Sequence, residues 1–316
     1  MIAFGYDSFI AAAPHLSPAS VFGRGGGHQQ LPQSCRTLWG FAARAQRANR
    51  GAGRRSWRST VRARSRSVRL TSAGALVCER ARRLLVDADD LAEIAKRLSD
   101  PMVRDLRVGV IPTISPYLLP EVVPSLRRDL PGLTLFWTED QTNVLLRKLQ
   151  DGDLDAALLA LETRLPGDFE KEELARDPFV LAMASSHPLA KKKGPVRISE
   201  IAGMDLLLLD DGHCLRDQAL AACKTARAHE LDFRATSLST LVQMVSAGSG
   251  VTLLPRLALP VETKRSDLAL RAFAKPVPYR TLGLIWRRGS AHAEALRKVA
   301  ASIRAVARKG DATLVG

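Results

Sequence analysis

From Pro101 onward the sequence alternates short apolar runs with amphipathic stretches, and this rhythm confines the chain to an α/β architecture. Strands are expected at 106–111, 133–138, 156–160, 179–184, 206–209, 251–254 and 282–286, with helices at 117–126, 144–150, 239–247 and 293–306. About 210 residues of this kind suit two small α/β lobes, with the chain crossing between them and its last helix returning to the first lobe. A small effector would act in the crevice between the lobes.

Before Pro101 the character is different. Val77, Ala81, Leu84, Ala88, Leu91, Ala95 and Leu98 alternate spacings of four and three among charged residues, which is a heptad seam. It predicts one long helix ending near Ser99-Asp100-Pro101. The seam is narrow and rich in Ala, which suits pairing with a second copy of the chain better than packing on its own domain. Residues 1–70 hold twelve Arg, no Lys and one acid, Asp7, so +11 of the chain's net charge of +15 is concentrated there. A folded basic module normally balances its cations with acids. Gly25-Gly26-Gly27 lacks the preceding strand and following Lys-Ser/Thr of a phosphate loop. A disordered arm that binds polyanions through charge alone is one explanation of this segment.

Cys214 and Cys223 read as a thiol switch. The run 206–209 looks like a buried strand, and the stretch after it has helix-forming composition, which puts Cys214 near a helix N-terminus. Unpaired amides there, with Arg216 close by, are expected to lower the thiol pKa. On a continuous helix the two cysteines would be separated by about 900° of rotation and about 13.5 Å of rise. A disulfide needs Cα atoms within roughly 7 Å, so joining them requires the helix to unwind. On residue type alone both would be small buried hydrophobes, since free Cys is usually a packing residue. His213 and Arg216 argue against that reading.

Several motifs occur in order along the chain: Val110-Ile111-Pro112-Thr113 with Pro116-Tyr117-Leu118-Leu119-Pro120, His187-Pro188-Leu189-Ala190, Arg234-Ala235-Thr236-Ser237-Leu238, and Ala247-Gly248-Ser249-Gly250-Val251-Thr252-Leu253-Leu254-Pro255. With the segment from Gly212 to Cys223, they make residues 71–308 resemble the LysR-type transcriptional regulators, in particular the peroxide-sensing activators of that family. The resemblance implies an effector domain over 101–310 with a fold like that of periplasmic binding proteins. Its lobe I would comprise about 103–177 and 280–308, and its lobe II about 178–279. A linker and dimerisation helix over 71–100 would precede it, with 1–70 standing where a winged helix-turn-helix is expected.

The resemblance also implies roles. Cys214 would be the peroxidatic thiol and Cys223 the resolving thiol. Thr113 and Thr142 match hydroxyls that shape a peroxide pocket, His213 a hydrogen-bonding neighbour, Arg216 and Asp217 ion-pairing residues after the reactive thiol, and Arg287 a basic residue near the site. Taken alone, the two threonines read as caps, His213 as a structural hydrogen-bonder and Asp217 as a first-turn acid. The implied partners are DNA, a second copy as dimer or tetramer, hydrogen peroxide, a cellular dithiol reductant and RNA polymerase.

Two departures from the family pattern stand out. Between Cys223 and Arg234 the chain is one residue shorter, with Asp232 in place of a His and His229 nearby. At the N-terminus only 65–71 resembles the wing of a DNA-binding domain, without the Leu-Phe-Glu-Arg that precedes it. Codons for Thr60-Val61-Arg62-Ala63-Arg64 permit that tetrapeptide when read one nucleotide later. The absence of Lys from 1–70 fits off-frame translation of a GC-rich gene, and resequencing is expected to show a frameshift upstream of about Ser65. DNA binding by this chain is therefore in doubt at the level of sequence.

Other classes remain as alternatives. A thiol peroxidase would give the heptad helix no role, and a regulator or binding protein for a small organic acid would use Thr113 and backbone amides while the cysteines only pack. No cofactor is expected. Six His and four Cys show no ligand spacing, so no metal is expected either. No run reaches the roughly 18 apolar residues of a membrane span, and Asp7 with no basic start argues against a signal peptide. A cytoplasmic address is therefore expected.

Overall fold

The computed structural model describes residues 104–163, 165, 168–223 and 229–313, two short strands within 61–70, and helical residues at 76, 79–80, 83–88 and 91. Residues 1–60, Cys78, the seam residues Val77, Ala81, Ala95 and Leu98, and the expected helix end at Ser99-Asp100-Pro101 lie outside the described residues. The chain divides into two compact units, 1–89 and 90–316. In the first, β1 (Val61–Arg64) and β2 (Ser67–Leu70) form an antiparallel hairpin with Arg64 opposite Ser67. Of the seam residues, Leu84 in this unit and Leu91 in the next are largely exposed.

The second unit is built on one mixed sheet. Its strands are β3 (Arg104–Val110), β4 (Leu133–Glu139), β5 (Ala156–Ala160), β6 (Phe169–Ala184), β9 (Thr252–Pro255), β10 (Leu268–Ala272) and β11 (Tyr279–Arg287), in the order β10-β6-β11-β5-β3-β4 with β9 also on β6. β5 lies near the centre, and all five of its residues are buried, as expected for a strand covered on both faces. β7 (Asp205–Leu209) and β8 (His229–Ala235) form a separate parallel pair, tied to the rest through a bridge between Leu206 and Val251.

β6 makes this one sheet serve two lobes. Its first half pairs with β11 from Phe169 to Pro178, and its second half pairs with β9 and β10 from Phe179 to Ala184. The sequence suggested only the second half, because Glu170-Lys171-Glu172-Glu173-Leu174-Ala175-Arg176 has helix-forming composition. Pairing with β11 overrides that preference.

Two apolar cores result. Lobe I packs α1 (Ser115–Asp129), α2 (Thr142–Gln150) and the C-terminal helix α5 (Ala293–Thr313) around Leu106, Val108, Leu145, Leu158, Leu284, Trp286, Leu296 and Ile303. α5 lies on α1 and β6, so the last helix does return to the first lobe. Lobe II packs α3 (Cys214–Cys223) and α4 (Leu238–Ser246) around Leu181, Leu207, Leu241, Val245 and Leu254.

Candidate functional site

The site lies where β3, β5 and β7 each end and hand the chain to a helix or turn. After β7 the chain turns through Asp210, Asp211 and Gly212 into α3. Gly212 holds φ +93°, and a Cβ there would come within 2.5 Å of Gln141 Oε1, at the entrance to α2. Gly212→Ala should therefore cost about 1–2 kcal/mol, read as a lower urea midpoint with an unchanged slope.

Cys214 and Cys223 are the first and last residues of α3, and both are buried, unbridged thiols. They belong to different cores: Cys214 packs with the lobe I cluster and Cys223 with the lobe II cluster. The helix thus ends in a different lobe's interior at each thiol. Burial pushes the Cys223 thiol up to about 11. Burial also pushes Cys214 up, and the opposing influences are the positive charge of Arg280, the Thr142 and Thr163 hydroxyls and the Ala160 backbone.

This corrects the lowered Cys214 pKa and the role of Arg216 expected from the sequence. Arg216 faces away from the thiol, with Nε 3.0 Å from Asp211 Oδ1 and Nη2 2.6 Å from Glu230 Oε1. The cation whose charge reaches Cys214 is Arg280, which is 0 % exposed. Its Nε donates to Asp177 Oδ2 at 2.9 Å, its Nη1 to the Thr113 hydroxyl at 2.9 Å and its Nη2 to the Thr113 carbonyl at 2.9 Å. Asp177 Oδ1 in turn accepts from Leu257 N at 2.9 Å. Arg280 and Asp177 face each other across β11 and β6 where the chain passes between lobes, so the pair ties Thr113 of lobe I to Leu257 at the edge of lobe II.

Arg287 does not join the site. It closes the far end of β11, where Nη1 donates to the carbonyls of Leu149 and Leu154 at 3.0 Å each. Seven strand residues put it about 23 Å from Arg280, at the C-terminal end of α2 rather than its N-terminal end. The sequence pointed to the wrong arginine on the right strand. The available signal was periodicity: Arg280, Leu282, Leu284 and Trp286 share one buried face of β11, so a cation occupies an inward position.

The other candidates do come together. Thr113 is buried under Arg280. Thr142 begins α2, and its hydroxyl is buried facing Cys214, close enough to favour the thiolate but without a hydrogen-bond partner among the described residues. His213 Nε2 lies 3.5 Å from Gln141 Nε2, and burial lowers the ring's pKa against the pull of Asp210. Asp217 lines an open cleft of ≈500 Å³ together with Thr142, Asn143, Leu146, Arg147, Thr163, Gly212 and Cys214. A smaller recess runs from Cys214 toward Ile111, Thr113, Gln141 and His213. Arg280, Asp177 and Thr163 are the site residues that sequence reasoning missed.

This arrangement presents a single sulfur to a small polar reactant amid hydroxyls and a fixed positive charge. Among the described residues no group of His, Cys, Asp and Glu could hold a metal ion, and no helix is long and apolar enough to cross a membrane.

Residues 99–308 match the LysR substrate binding domain family. The chain is 43 % identical over 242 residues to the DNA-binding transcriptional dual regulator OxyR of Escherichia coli K12, covering 76 % of this chain and 79 % of that protein. Its fold is similar to the crystal structure of the reduced form of OxyR, at 43 % identity and TM-score 0.59, covering 65 % of this chain and 96 % of the other. It is equally similar to the oxidized form, at 45 % identity and TM-score 0.59 over the same shares.

Proposed function

Because the chain belongs to the LysR family of transcriptional regulators, we propose that it is an OxyR-like sensor of the hydrogen peroxide response, switched by a reversible Cys214–Cys223 disulfide. The observation that carries this reading is the position of the two thiols at opposite ends of one helix, each in a different lobe's core. The Cys214 thiolate attacks one peroxide oxygen, the O–O bond breaks, and the sulfur becomes a sulfenic acid as hydroxide leaves. The Cys223 sulfur then attacks Cys214, the S–O bond breaks, water departs and the disulfide forms. Two electrons pass from the thiol pair to peroxide. Reversal falls to a cellular dithiol.

Each residue has a part in this chemistry. Arg280 holds positive charge against the developing thiolate, and the buried Thr142 hydroxyl beside the sulfur can turn to peroxide. Thr113 and His213 line the recess from the side of β3 and the turn before α3. Because α3 spans about 13.5 Å, disulfide closure must unwind it, and lobe packing changes with it. Transmission to DNA requires the N-terminal domain of the family, a second copy and RNA polymerase. Exposed Leu84, in the heptad seam, offers an apolar contact to the second copy. A cytoplasmic location fits these partners.

Burial keeps Cys214 mostly protonated near neutrality, so its oxidation rate should rise about tenfold per pH unit below the thiol pKa. Stopped-flow rates that stay flat between pH 6 and 8 would instead place the thiol pKa well below neutrality.

The test of the reading is mass spectrometry of protein alkylated before and after one equivalent of hydrogen peroxide. A peroxide-dependent Cys214–Cys223 crosslink is expected; two thiols that stay alkylatable would overturn it. Consumption of one peroxide per protein, rather than turnover, separates a sensor from a thiol peroxidase. The ≈500 Å³ cleft, lined by Arg147, Asn143 and Thr142, supports a second reading in which a small organic acid binds there. A ligand-induced rise in melting temperature that survives Cys214→Ser would favour it.

A further inference from the structure

We infer that Asp211, Arg216, Glu230 and Arg234 form an electrostatic latch that holds α3 folded and sets the rate and equilibrium of disulfide closure, an inference that rests on the thiol-switch reading. Four contacts close a ring. Arg216 Nε meets Asp211 at 3.0 Å and its Nη2 meets Glu230 at 2.6 Å; Arg234 Nη1 meets Asp211 at 2.6 Å and its Nη2 meets Glu230 at 3.9 Å. Asp211 sits in the turn just before α3, Arg216 in its first turn, and Glu230 and Arg234 on β8. The ring therefore staples the start of the helix to the neighbouring sheet.

This is the segment that has to give way. Both thiols are unbridged in the folded helix, and the backbone between them must unwind before the sulfurs can meet. Arg216 lies between the two cysteines, so its anchors on both sides resist that unwinding. Arg216 is almost wholly buried, its side chain 10 % exposed, whereas Asp211 is 71 % exposed. The ring thus has one desolvated arm and one solvent-facing arm. Ion pairs of this partly exposed kind contribute modestly and are screened by salt, which suits a trigger that must hold without being permanent.

The latch acts on the second step of the reaction and not the first. Its four charged groups are spent on one another in the ring, whereas the charge that acts most on the Cys214 sulfur is that of Arg280. Attack on peroxide should be indifferent to the latch, while closure should be sensitive to it. This separation distinguishes a latch from a generally loosened fold.

The experiment uses the full chain and the variants Glu230→Gln and Arg234→Gln. Sulfenic acid formation is followed in a Cys223→Ser background with a dione probe, and disulfide closure with both cysteines present by quenched alkylation. The expected result is closure about tenfold faster in Glu230→Gln and a smaller acceleration in Arg234→Gln, with sulfenylation unchanged in both. The thiol–disulfide equilibrium against a dithiol buffer should shift toward the disulfide in the same order. In the unsubstituted chain added salt should also speed closure, an effect smaller in Glu230→Gln, which keeps only the two Asp211 contacts. Closure rates unchanged in both variants, or sulfenylation and closure accelerated equally, would overturn the latch. No disulfide in the unsubstituted chain would instead overturn the thiol-switch reading beneath it.

Discussion

Cys214→Ser should abolish peroxide-dependent disulfide formation completely, while the melting temperature changes little. Serine is close to isosteric with cysteine, and the site is lined by hydroxyls and a backbone that can accept or donate to it, so the substitution is well tolerated by packing. The hydroxyl is not a nucleophile toward peroxide at neutral pH, so neither step can begin. Cys223→Ser should differ in kind: sulfenic acid forms on Cys214 at the ordinary rate and accumulates, because the second sulfur is missing. Intact mass after one equivalent of peroxide distinguishes the two, with no added oxygen in the first variant and one in the second. A disulfide that still formed in Cys214→Ser would mean that another cysteine, Cys35 or Cys78, takes the peroxidatic role.

The second large effect is at the lobe crossing. Asp177→Asn leaves the Arg280 guanidinium, 0 % exposed, without its counter-charge and should cost about 3–5 kcal/mol, or roughly 10 °C in melting temperature for a chain of this size. Arg280→Met removes the cation instead, leaving Asp177 with only the Leu257 amide. It should destabilise comparably, and replacing both residues with apolar side chains of similar volume should restore much of the loss. The two single variants part company in their chemistry. Arg280→Met withdraws the charge that opposes burial at Cys214, so the thiolate fraction and the oxidation rate fall; Asp177→Asn keeps that charge and should not slow oxidation. Calorimetry and stopped-flow oxidation on the same samples separate the two roles, and equal slowing in both would mean that Arg280 acts only through the fold.

What could be read along the chain was whatever depends on neighbours in sequence. The α/β rhythm after Pro101 arises from hydrophobic periodicity, which is a local property, and so does a helix that begins at Cys214. The cysteine spacing alone showed that a disulfide between the two would need the helix to unwind, because helix rise per residue is fixed. The β8 strand was legible in principle, since Leu231, Phe233 and Ala235 alternate with polar residues, but the interleaved charges concealed it.

The rest depended on contacts between residues far apart in sequence. Glu170–Arg176 became strand rather than helix because β11 offered it a ladder of partners, a long-range gain that outweighs intrinsic preference. The charges could not be assigned from spacing either. Arg216, two positions from Cys214, turns away toward Asp211 and Glu230, whereas Arg280, 66 positions along, brings its charge to the sulfur. Electrostatic influence depends on distance and burial in space, and a chain that crosses twice between lobes makes separation in sequence a poor guide to both. The sequence singled out the two thiols; the fold set which charge lies near Cys214 and which helix separates the pair.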